Sequence, residues 1–246
     1  MFLQRTLRRS TTVTGIGLHT GKPCQLSFRP APTDIGIHVI KKMENGRSPS
    51  VRVFAENVKA TTNATTIGTS EFSVSTVEHC LSTLAALRID NAFIEIVGPE
   101  LPILDGSSLQ FLQAIQSVGV VEQDQPRKYI YIKEPIEVSD GDKIATVYPY
   151  DGLRITCSID FAHAAIGKQK MDIDINEDSF SREIAGARTF GFLKDVERLQ
   201  SQGLALGGSY DNVIVLDDER VLNKEGLRYP DEFVRHKVLD ALGDLS

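Results

Sequence analysis

The sequence predicts an α+β protein of two similar domains, each a β-sheet layered with helices, with the helices sandwiched between the two sheets. Runs of alternating apolar and polar residues, the pattern of half-buried strands, come first in each half of the chain. Segments with apolar residues at helical spacing follow them, and this order of strands and then helices occurs twice. No internal sequence repeat is strong enough to prove duplication.

The first half, residues 1–126, begins with strands that glycine and proline separate. Strands are predicted at 11–21, 23–31, 36–40 and 51–60, followed by a turn and a short strand at 61–72. Ser73 or Ser75 can cap the next segment, 75–87, where apolar residues recur at helical spacing. A strand at 91–98, a helix at 107–118 and a polar stretch at 121–128 follow. We place the domain boundary in that stretch, at Pro126.

The second half, residues 127–246, repeats the order. Gly and Asp turns separate strands that are predicted at 129–140, 143–151, 153–161 and 168–175. Helical segments follow at 177–189 and 192–202, and a glycine-rich stretch leads to a short apolar strand at 212–218. The last element is a helix over 230–245 with apolar residues on one face. The predicted site lies where the two halves meet.

Composition excludes several classes of protein. A formal net charge of −6 and a pI of about 5.4 give no cationic surface for a polyanion, so we expect no nucleic-acid partner. Three widely spaced cysteines argue against a disulfide framework and fit a reducing compartment, so we expect a cytoplasmic protein. No secretory signal and no run of about 20 apolar residues is present. We expect a soluble monomer that makes at most transient contact with the inner membrane surface.

His236 and Asp240 are four residues apart on the last predicted helix. Side chains at this spacing project from one face, about 5–6 Å apart at Cβ, and can bind one metal ion together. An exposed helical His–Asp pair is the alternative, and the spacing alone leaves both interpretations open.

Glu78 and His79 lie near the start of the 75–87 helix. Ser75 and Glu78 also fit a capping box, in which the glutamate folds back to a backbone N–H. The combination is more specific than either pair, because two histidines and an aspartate suit Zn²⁺ and leave a position for water. A nearby free carboxylate could then accept a proton from that water.

Long blocks of the chain resemble the UDP-3-O-acyl-N-acetylglucosamine deacetylases, the LpxC enzymes of lipid A biosynthesis. The matching blocks are QRTL, TGIGLHTG at 14–21, STVEHCLSTLAAL at 75–87, NAFIEIVGPELPILDGSS at 91–108, ARTFGF at 187–192, LGGSYDNVIVLDD at 206–218 and DEFVRHKVLDALGDL at 231–245. The resemblance covers essentially the whole chain. It implies a zinc-dependent amide hydrolase with His79, His236 and Asp240 as ligands, Glu78 as general base and Thr189 as oxyanion donor.

The resemblance also implies positions for the substrate, a UDP-linked acylated glucosamine. Phe190 would lie against the sugar, Lys237 would contact the nucleotide-sugar part, and Asp244 falls on an acid that orients a catalytic histidine. The further substrate-binding positions are Leu18, His19, Phe161 and Leu204. Residues of about 193–223 resemble an insert that wraps the acyl chain, with Leu199, Leu204, Ala205 and Val215 as walls or, equally, as ordinary core residues.

Three further residues carry separate expectations. We expect Asp105 to be structural and to cap the following helix. His163 is expected in a loop, and Ala164 follows it where the family usually has proline. Asn63 lies where the family often has a different small or polar residue beside the zinc.

The chain ends at Ser246 within a block that continues in the family, and it lacks the GHxxGH region with the histidine that protonates the leaving amine. We expect a fragment rather than a naturally shortened protein. If the chain does end there, we expect zinc binding with turnover reduced by about 10²–10⁴-fold. The alternative function is a catalytically weak zinc-containing module that binds a nucleotide sugar or glycolipid. Iron also suits these ligands.

Overall fold

The computed structural model describes residues 2–245, and its first half is built on a five-stranded sheet of order β2-β3-β9-β4-β5. These strands are β2 (Thr11–Ile16), β3 (Pro23–Pro30), β4 (Ile37–Lys41), β5 (Ser50–Arg52) and β9 (Ala92–Val97). The pairs are antiparallel except β4 with β9, which is parallel. In β9 the predicted alternation is confirmed, since Ala92, Ile94 and Ile96 are buried.

One prediction for the first half is wrong, and one strand was not predicted. The segment 51–60 is not one strand, because a 3₁₀ turn at Ala55–Asn57 separates β5 from β6 (Val58–Ala60). Most of the polar stretch lies in a strand that was not predicted from the sequence, because Val120–Pro126 forms β10 and pairs antiparallel with β1 (Leu3–Leu7). Pairing with β1 satisfies the backbone hydrogen-bonding groups of this stretch. Its side chains are mostly polar, so the sequence does not indicate a strand there. The domain boundary at 126 stays a prediction.

The remaining elements of the first half carry the site. Strand β6 joins β7 (Thr66–Gly68) and β8 (Ser73–Val74) in a small antiparallel sheet. Helix α1 (Glu78–Ala86) follows directly, and helix α2 (Leu109–Val118) comes after β9.

The second half consists of paired strands and helices. The antiparallel pairs are β11 (Ile136–Asp140) with β12 (Lys143–Val147) and β13 (Arg154–Phe161) with β14 (Gly167–Asp174). Helix α3 (Glu177–Ser179) continues into a π-helical turn, Phe180–Ile184. Strand β15 (Phe190–Phe192), helix α4 (Leu193–Ser201), strand β16 (Ile214–Leu216) and helix α5 (Glu232–Asp244) follow, with β15 parallel to β16.

One apolar core joins the two halves. Leu26 and Ile94 of the five-stranded sheet belong to the same cluster as Leu84 of α1 and Leu239 of α5. Alternate residues of the β13–β14 pair, among them Cys157, pack on the other side of this cluster. The helices α1 and α5 therefore lie between strands of the two halves, and the predicted α+β class is confirmed. No helix within residues 2–245 is long and apolar enough to span a membrane.

Candidate metal centre

Glu78 and His79 form the first turn of α1. Val77 occupies the N-cap position, and no side chain caps the helix. The Oε2 atom of Glu78 accepts the N–H of Thr65 at 3.0 Å, while the hydroxyl of Ser75 accepts a hydrogen bond from a threonine of β7. The capping-box interpretation of Glu78 is therefore wrong, and this carboxylate is held by a neighbouring loop instead.

Helix α5 brings the second half to the same place. Its Gly243 lies so close to α1 that a Cβ atom there would be 2.0 Å from the carbonyl oxygen of Glu78. Only glycine permits two helices to approach this closely without moving apart. This contact explains how residues far apart in sequence, on the first turn of α1 and in the middle of α5, come together.

The structure brings together the three residues that the resemblance implies as ligands. Potential ligand atoms of His79, His236 and Asp240 all lie within 4.8 Å of one another. The two imidazole rings meet edge to face with centroids 4.9 Å apart. Oδ1 of Asp240 lies 3.6 Å from Nε2 of His79 and 3.3 Å from Nε2 of His236. His79 and His236 are buried, at 4% and 1% exposure.

The cluster contains buried polar atoms that no other described residue satisfies. Oδ1 of Asp240 and Nδ1 of His79 have no hydrogen-bond partner within residues 2–245. Buried polar groups in folded proteins are almost always paired, so each exception requires an explanation. A cation shared by two imidazoles and a carboxylate oxygen explains the Oδ1 atom, and the nitrogen–oxygen donor set fits zinc.

The charges of the cluster are set by burial and by mutual contact. Burial lowers the pKa of His236 to about 3, so this imidazole is neutral. Burial alone would raise the pKa of Asp240, but His236, Lys237 and His79 hold it well below its usual range. Burial also opposes a charge on His79, yet the carboxylates of Asp240 and Glu78 outweigh it and raise the pKa of His79. A cation would therefore compete with a proton on His79.

A cavity of about 380 Å³ opens beside the cluster. It is lined by Thr61, Asn63, Ala64, Thr65, Glu78, Lys237, Asp240, Ala241 and Asp244. Lys237 donates to Oδ2 of Asp240 at 2.8 Å, and Asp244 accepts from the hydroxyl of Thr65 at 2.6 Å. Burial raises the pKa of Glu78 to about 6. The cavity is thus lined by three carboxylates, those of Glu78, Asp240 and Asp244, and by one ammonium group.

Aromatic rings form another side of the site. The Phe190 ring lies 6.5 Å from the His236 ring and has the Lys237 ammonium 5.4 Å above its centroid. Phe161 meets Phe190 edge to face at 5.6 Å. Three residues that the resemblance assigns to the substrate, Phe190, Phe161 and Lys237, are therefore contiguous.

Thr189 is anchored by its backbone. Its N–H donates to the carbonyl of Gly106, and its own carbonyl accepts from the N–H of Ile214. Its half-buried hydroxyl makes no hydrogen bond to any other residue in 2–245. The side chain is thus available to a ligand, although its role as oxyanion donor stays a prediction.

His19 and Leu18 lie where the two halves touch. The N–H groups of Leu206 and Gly207 donate to the carbonyls of His19 and Leu18, and the His19 ring lies 3.3 Å from the carbonyl of Asn63, a residue of the cavity wall. Leu204 is half-buried and its N–H bonds to Leu199 within its own segment. Leu204 lies two residues before Leu206 in the chain, but it is not among the residues that line the cavity.

Glu100 is a residue that the sequence did not single out. Its fully buried carboxylate accepts hydrogen bonds from the N–H groups of His19 and Thr20 and from the hydroxyls of Thr20 and Thr76. It therefore ties the His19 loop to the residues that precede Glu78. Nothing in the sequence indicates this role, because its partners are far apart along the chain.

The structure corrects the prediction for Asp105 and confirms the loop position of His163. Asp105 does not cap α2 at its N-cap position, which Ser108 occupies; it accepts from the N–H and hydroxyl of Ser107 and pairs with Arg228 at 2.8 Å. His163 does lie in a turn, where its Nε2 is 2.7 Å from the carbonyl of Asp217. Both residues are structural in these contacts.

The comparisons with known proteins agree with this geometry. The family described as UDP-3-O-acyl N-acetylglycosamine deacetylase, LpxC, matches residues 4–246. A protein of Bdellovibrio bacteriovorus named UDP-3-O-acyl-N-acetylglucosamine deacetylase is 63% identical over 245 residues, which cover 100% of this chain and 81% of that protein. Proteins of the same name from Thioalkalivibrio sulfidiphilus and Myxococcus xanthus are 48% and 49% identical, over 81% and 77% of their lengths. The chain belongs to the LpxC deacetylase family.

Proposed function

We propose that this chain is a zinc-dependent deacetylase that hydrolyses the acetamide of UDP-3-O-acyl-N-acetylglucosamine to acetate and the free amine, in lipid A biosynthesis. The observation that carries the proposal is the buried cluster of two imidazoles and a carboxylate at the edge of a cavity that also holds Glu78. The names of the relatives supply the substrate.

His79, His236 and Asp240 are the residues that would hold the metal. Three ligands of this type are common at catalytic zinc, because they leave a coordination position for water or substrate. When bound, zinc supplies Lewis acidity, which lowers the pKa of a water molecule and polarises a carbonyl. Oδ2 of Asp240 is engaged by Lys237, which leaves Oδ1 to face the two imidazoles.

Glu78 is the base of the proposed reaction. It lines the cavity, and burial raises the pKa of its carboxyl to about 6. A carboxylate with this pKa is ionised at neutral pH yet accepts a proton more readily than an exposed glutamate, which suits general-base catalysis. The N–H of Thr65 fixes its Oε2 atom. Once protonated, Glu78 is a group of this cavity that can return the proton to the departing amine, a role that the resemblance gives to a histidine of the GHxxGH region.

Thr189 and Phe190 bind the substrate in this proposal. The Thr189 hydroxyl, free of other partners within residues 2–245, donates to the oxygen that becomes negative when the carbonyl is attacked. The Phe190 ring gives an apolar face for the sugar beside the cluster. The Lys237 ammonium, on that same ring and in the cavity, attracts the negative charge of the diphosphate.

The decisive experiment substitutes Glu78→Ala and measures acetate release together with bound zinc by elemental analysis. Turnover should fall by about 10²–10⁴-fold, because a general base is lost. Zinc content should stay at the wild-type level, because Glu78 is not among the proposed ligands. Glu71→Ala is the matched control, since Glu71 is half-exposed and pairs with Arg47 at the surface. A wild-type chain without zinc, or one that releases no acetate, would contradict the proposal.

A further inference from the structure

A buried ion pair between Arg188 and Glu232, outside the cavity, joins the turn at residues 186–189 to helix α5. Arg188 is 2% exposed and Glu232, in the first turn of α5, is 0% exposed. Taking two charges out of water is costly, and an apolar pair of similar volume would often serve equally well as a joint. What distinguishes this ion pair from an apolar contact is the direction of its hydrogen bonds.

The pair is bidentate and uses both backbone and side chain. Oε1 of Glu232 accepts from the N–H of Arg188 at 3.0 Å and from its Nε at 2.9 Å, and Oε2 accepts from Nη2 at 3.2 Å. Nη2 also donates to the carbonyl of Gly226, and Nη1 donates to Glu225. A guanidinium fork fixed in this manner has a single orientation, unlike an ammonium group in the same place.

Arg188 lies between two residues of the site. The carbonyl of Ala187 accepts from Nδ1 of His236 at 3.0 Å, and the Thr189 hydroxyl bonds to no other residue of 2–245. Glu232 is one helical turn before His236 on the same helix. The ion pair thus clamps the backbone beside Ala187 to the helix that carries the imidazole, one turn away from it.

Every residue of the 186–189 turn is held by a different group. Arg228 donates to the carbonyl of Gly186, His236 to that of Ala187, and Glu232 accepts from the N–H of Arg188. Thr189 is bonded through its backbone to β16 and to the loop before α2. The turn therefore presents one carbonyl to His236 in a fixed direction.

We propose that Arg188 and Glu232 are positioning residues: their buried ion pair fixes the Ala187 carbonyl against Nδ1 of His236, so that the proton stays on Nδ1 and Nε2 is left to bind the metal. This inference rests on the proposed function for the identity of the metal, but the tautomer belongs to the metal-free protein. Groups that orient a ligating histidine are commonly as important for affinity as the ligand itself.

The test is Glu232→Gln, which keeps the size of the side chain and replaces an acceptor by an amide NH₂. Nitrogen NMR of the metal-free protein, with ¹⁵N-labelled histidine, reports which ring nitrogen of His236 carries the proton. We expect Nδ1 alone to be protonated in the wild type and a mixture of both tautomers in the variant. We also expect zinc affinity, measured by competition with a chelator, to fall about 10–100-fold.

Glu225→Gln is the matched control. Glu225 bonds the same guanidinium through Nη1, but its side chain is 56% exposed and it lies outside α5. This variant should keep the wild-type tautomer and zinc affinity. A Glu232→Gln protein with the wild-type tautomer and affinity, altered only in melting temperature, would overturn the proposal and make the ion pair a structural joint.

Arg188→Met combined with Glu232→Leu covers the case in which Glu232→Gln does not fold. Apolar replacement of a buried ion pair is often tolerated, because no uncompensated charge is left. The double variant should fold and still show mixed tautomers, and a single Nδ1-protonated form in it would count against the inference. A wild type that binds no zinc would contradict the proposed function, while the tautomer would still decide the role of the pair.

Discussion

Two buried polar clusters of this protein differ in how completely they are paired. In the cluster around Gln4 and Asn91, which links β1 to β10 and the sheet, each side-chain amide donates and accepts within the cluster. Gln123 closes it by donating to the carbonyl of Ala31. In the cluster of His79, His236 and Asp240, two buried atoms have no partner among the described residues.

This difference in hydrogen bonding suggests a structural role for the first cluster and a binding role for the second. A polar network inside a protein stabilises it when every member is satisfied, and it costs free energy when some are not. The cluster around Gln4 and Asn91, here called the amide cluster, needs no ligand to satisfy its hydrogen bonds. In the histidine cluster the unsatisfied Oδ1 atom belongs to Asp240, which lines a cavity, and the proposed metal ion would complete it. Three predictions, from the largest expected effect to the smallest, test whether this distinction holds.

The largest effect is expected for a hydroxyl without a partner. Thr189→Val should reduce kcat by about 10²–10³-fold, or about 2.7–4 kcal/mol of transition-state stabilisation, as for other oxyanion donors. The thermal stability of this variant should change little, because no hydrogen bond to another residue of 2–245 is lost. Acetate-release kinetics and a melting curve measure the two quantities.

Thr6→Val, beside the amide cluster, is the counterpart of Thr189→Val. The Thr6 hydroxyl donates to the carbonyl of Asn91 at 2.7 Å and accepts from the N–H of Ala31. Its loss should lower the free energy of unfolding by about 1–3 kcal/mol and leave kcat unchanged. If Thr6→Val reduced kcat as much as Thr189→Val, pairing would not distinguish structural from functional groups here.

The second prediction concerns zinc and stability. Zinc at 100 times its dissociation constant should raise the free energy of unfolding by about 2.7 kcal/mol, since it binds the folded state. Asn91→Ala should lower stability in the presence and absence of zinc alike, because it removes the hydrogen bonds that Asn91 makes with the N–H of Gly36 and with the side chains of Gln4 and Gln123. Asp240→Asn should abolish the zinc-dependent increment. Calorimetric melting at several zinc concentrations measures all three.

An increment that persisted in Asp240→Asn would place the metal elsewhere. An increment lost in Asn91→Ala would show that the amide cluster also shapes the metal site. Both outcomes would break the distinction between the two clusters.

Much of the fold was predictable because local pattern and burial agree. Alternation predicted β9 and the β13–β14 pair, and helical spacing predicted α1 and α5, since these elements bury one face. Strand β10 was missed, because most of its side chains are polar and its backbone pairing with β1 defines it. Such pairing between distant segments leaves no periodic signal.

The site was predictable in its residues but not in its geometry. The spacing of His236 and Asp240 placed both on one face of a helix, and the resemblance added His79 and Glu78. The approach of α1 to α5 depends on Gly243, and nothing in the sequence distinguishes this glycine from one that ends a helix. The buried partners Glu100, Arg188 and Glu232 were also missed, because each acts through contacts with residues distant in sequence.

The smallest expected effect is a pH dependence that only the histidine cluster's surroundings should show. Burial raises the pKa of Glu78 to about 6, so its ionised, proton-accepting form is lost as the pH falls through that value. The logarithm of kcat/KM should therefore fall by about one for each pH unit below 6, equivalent to about 1.36 kcal/mol per unit, and level off above it. A bound dication nearby favours the carboxylate, so the kinetic pKa should lie at or below 6.

Asp34, whose carboxylate accepts a hydrogen bond from Gln4 of the amide cluster, is the contrast to Glu78. Hydrogen bonds from Lys128 and Gln4 lower the pKa of Asp34, so this group stays ionised throughout the range in which Glu78 titrates. Asp34→Asn should leave the acidic limb of the kcat/KM profile in place, whereas Glu78→Gln should flatten it along with the rate. A limb that moved with Asp34 would mean that a fully paired carboxylate, rather than the one in the cavity, controls the protonation state on which activity depends.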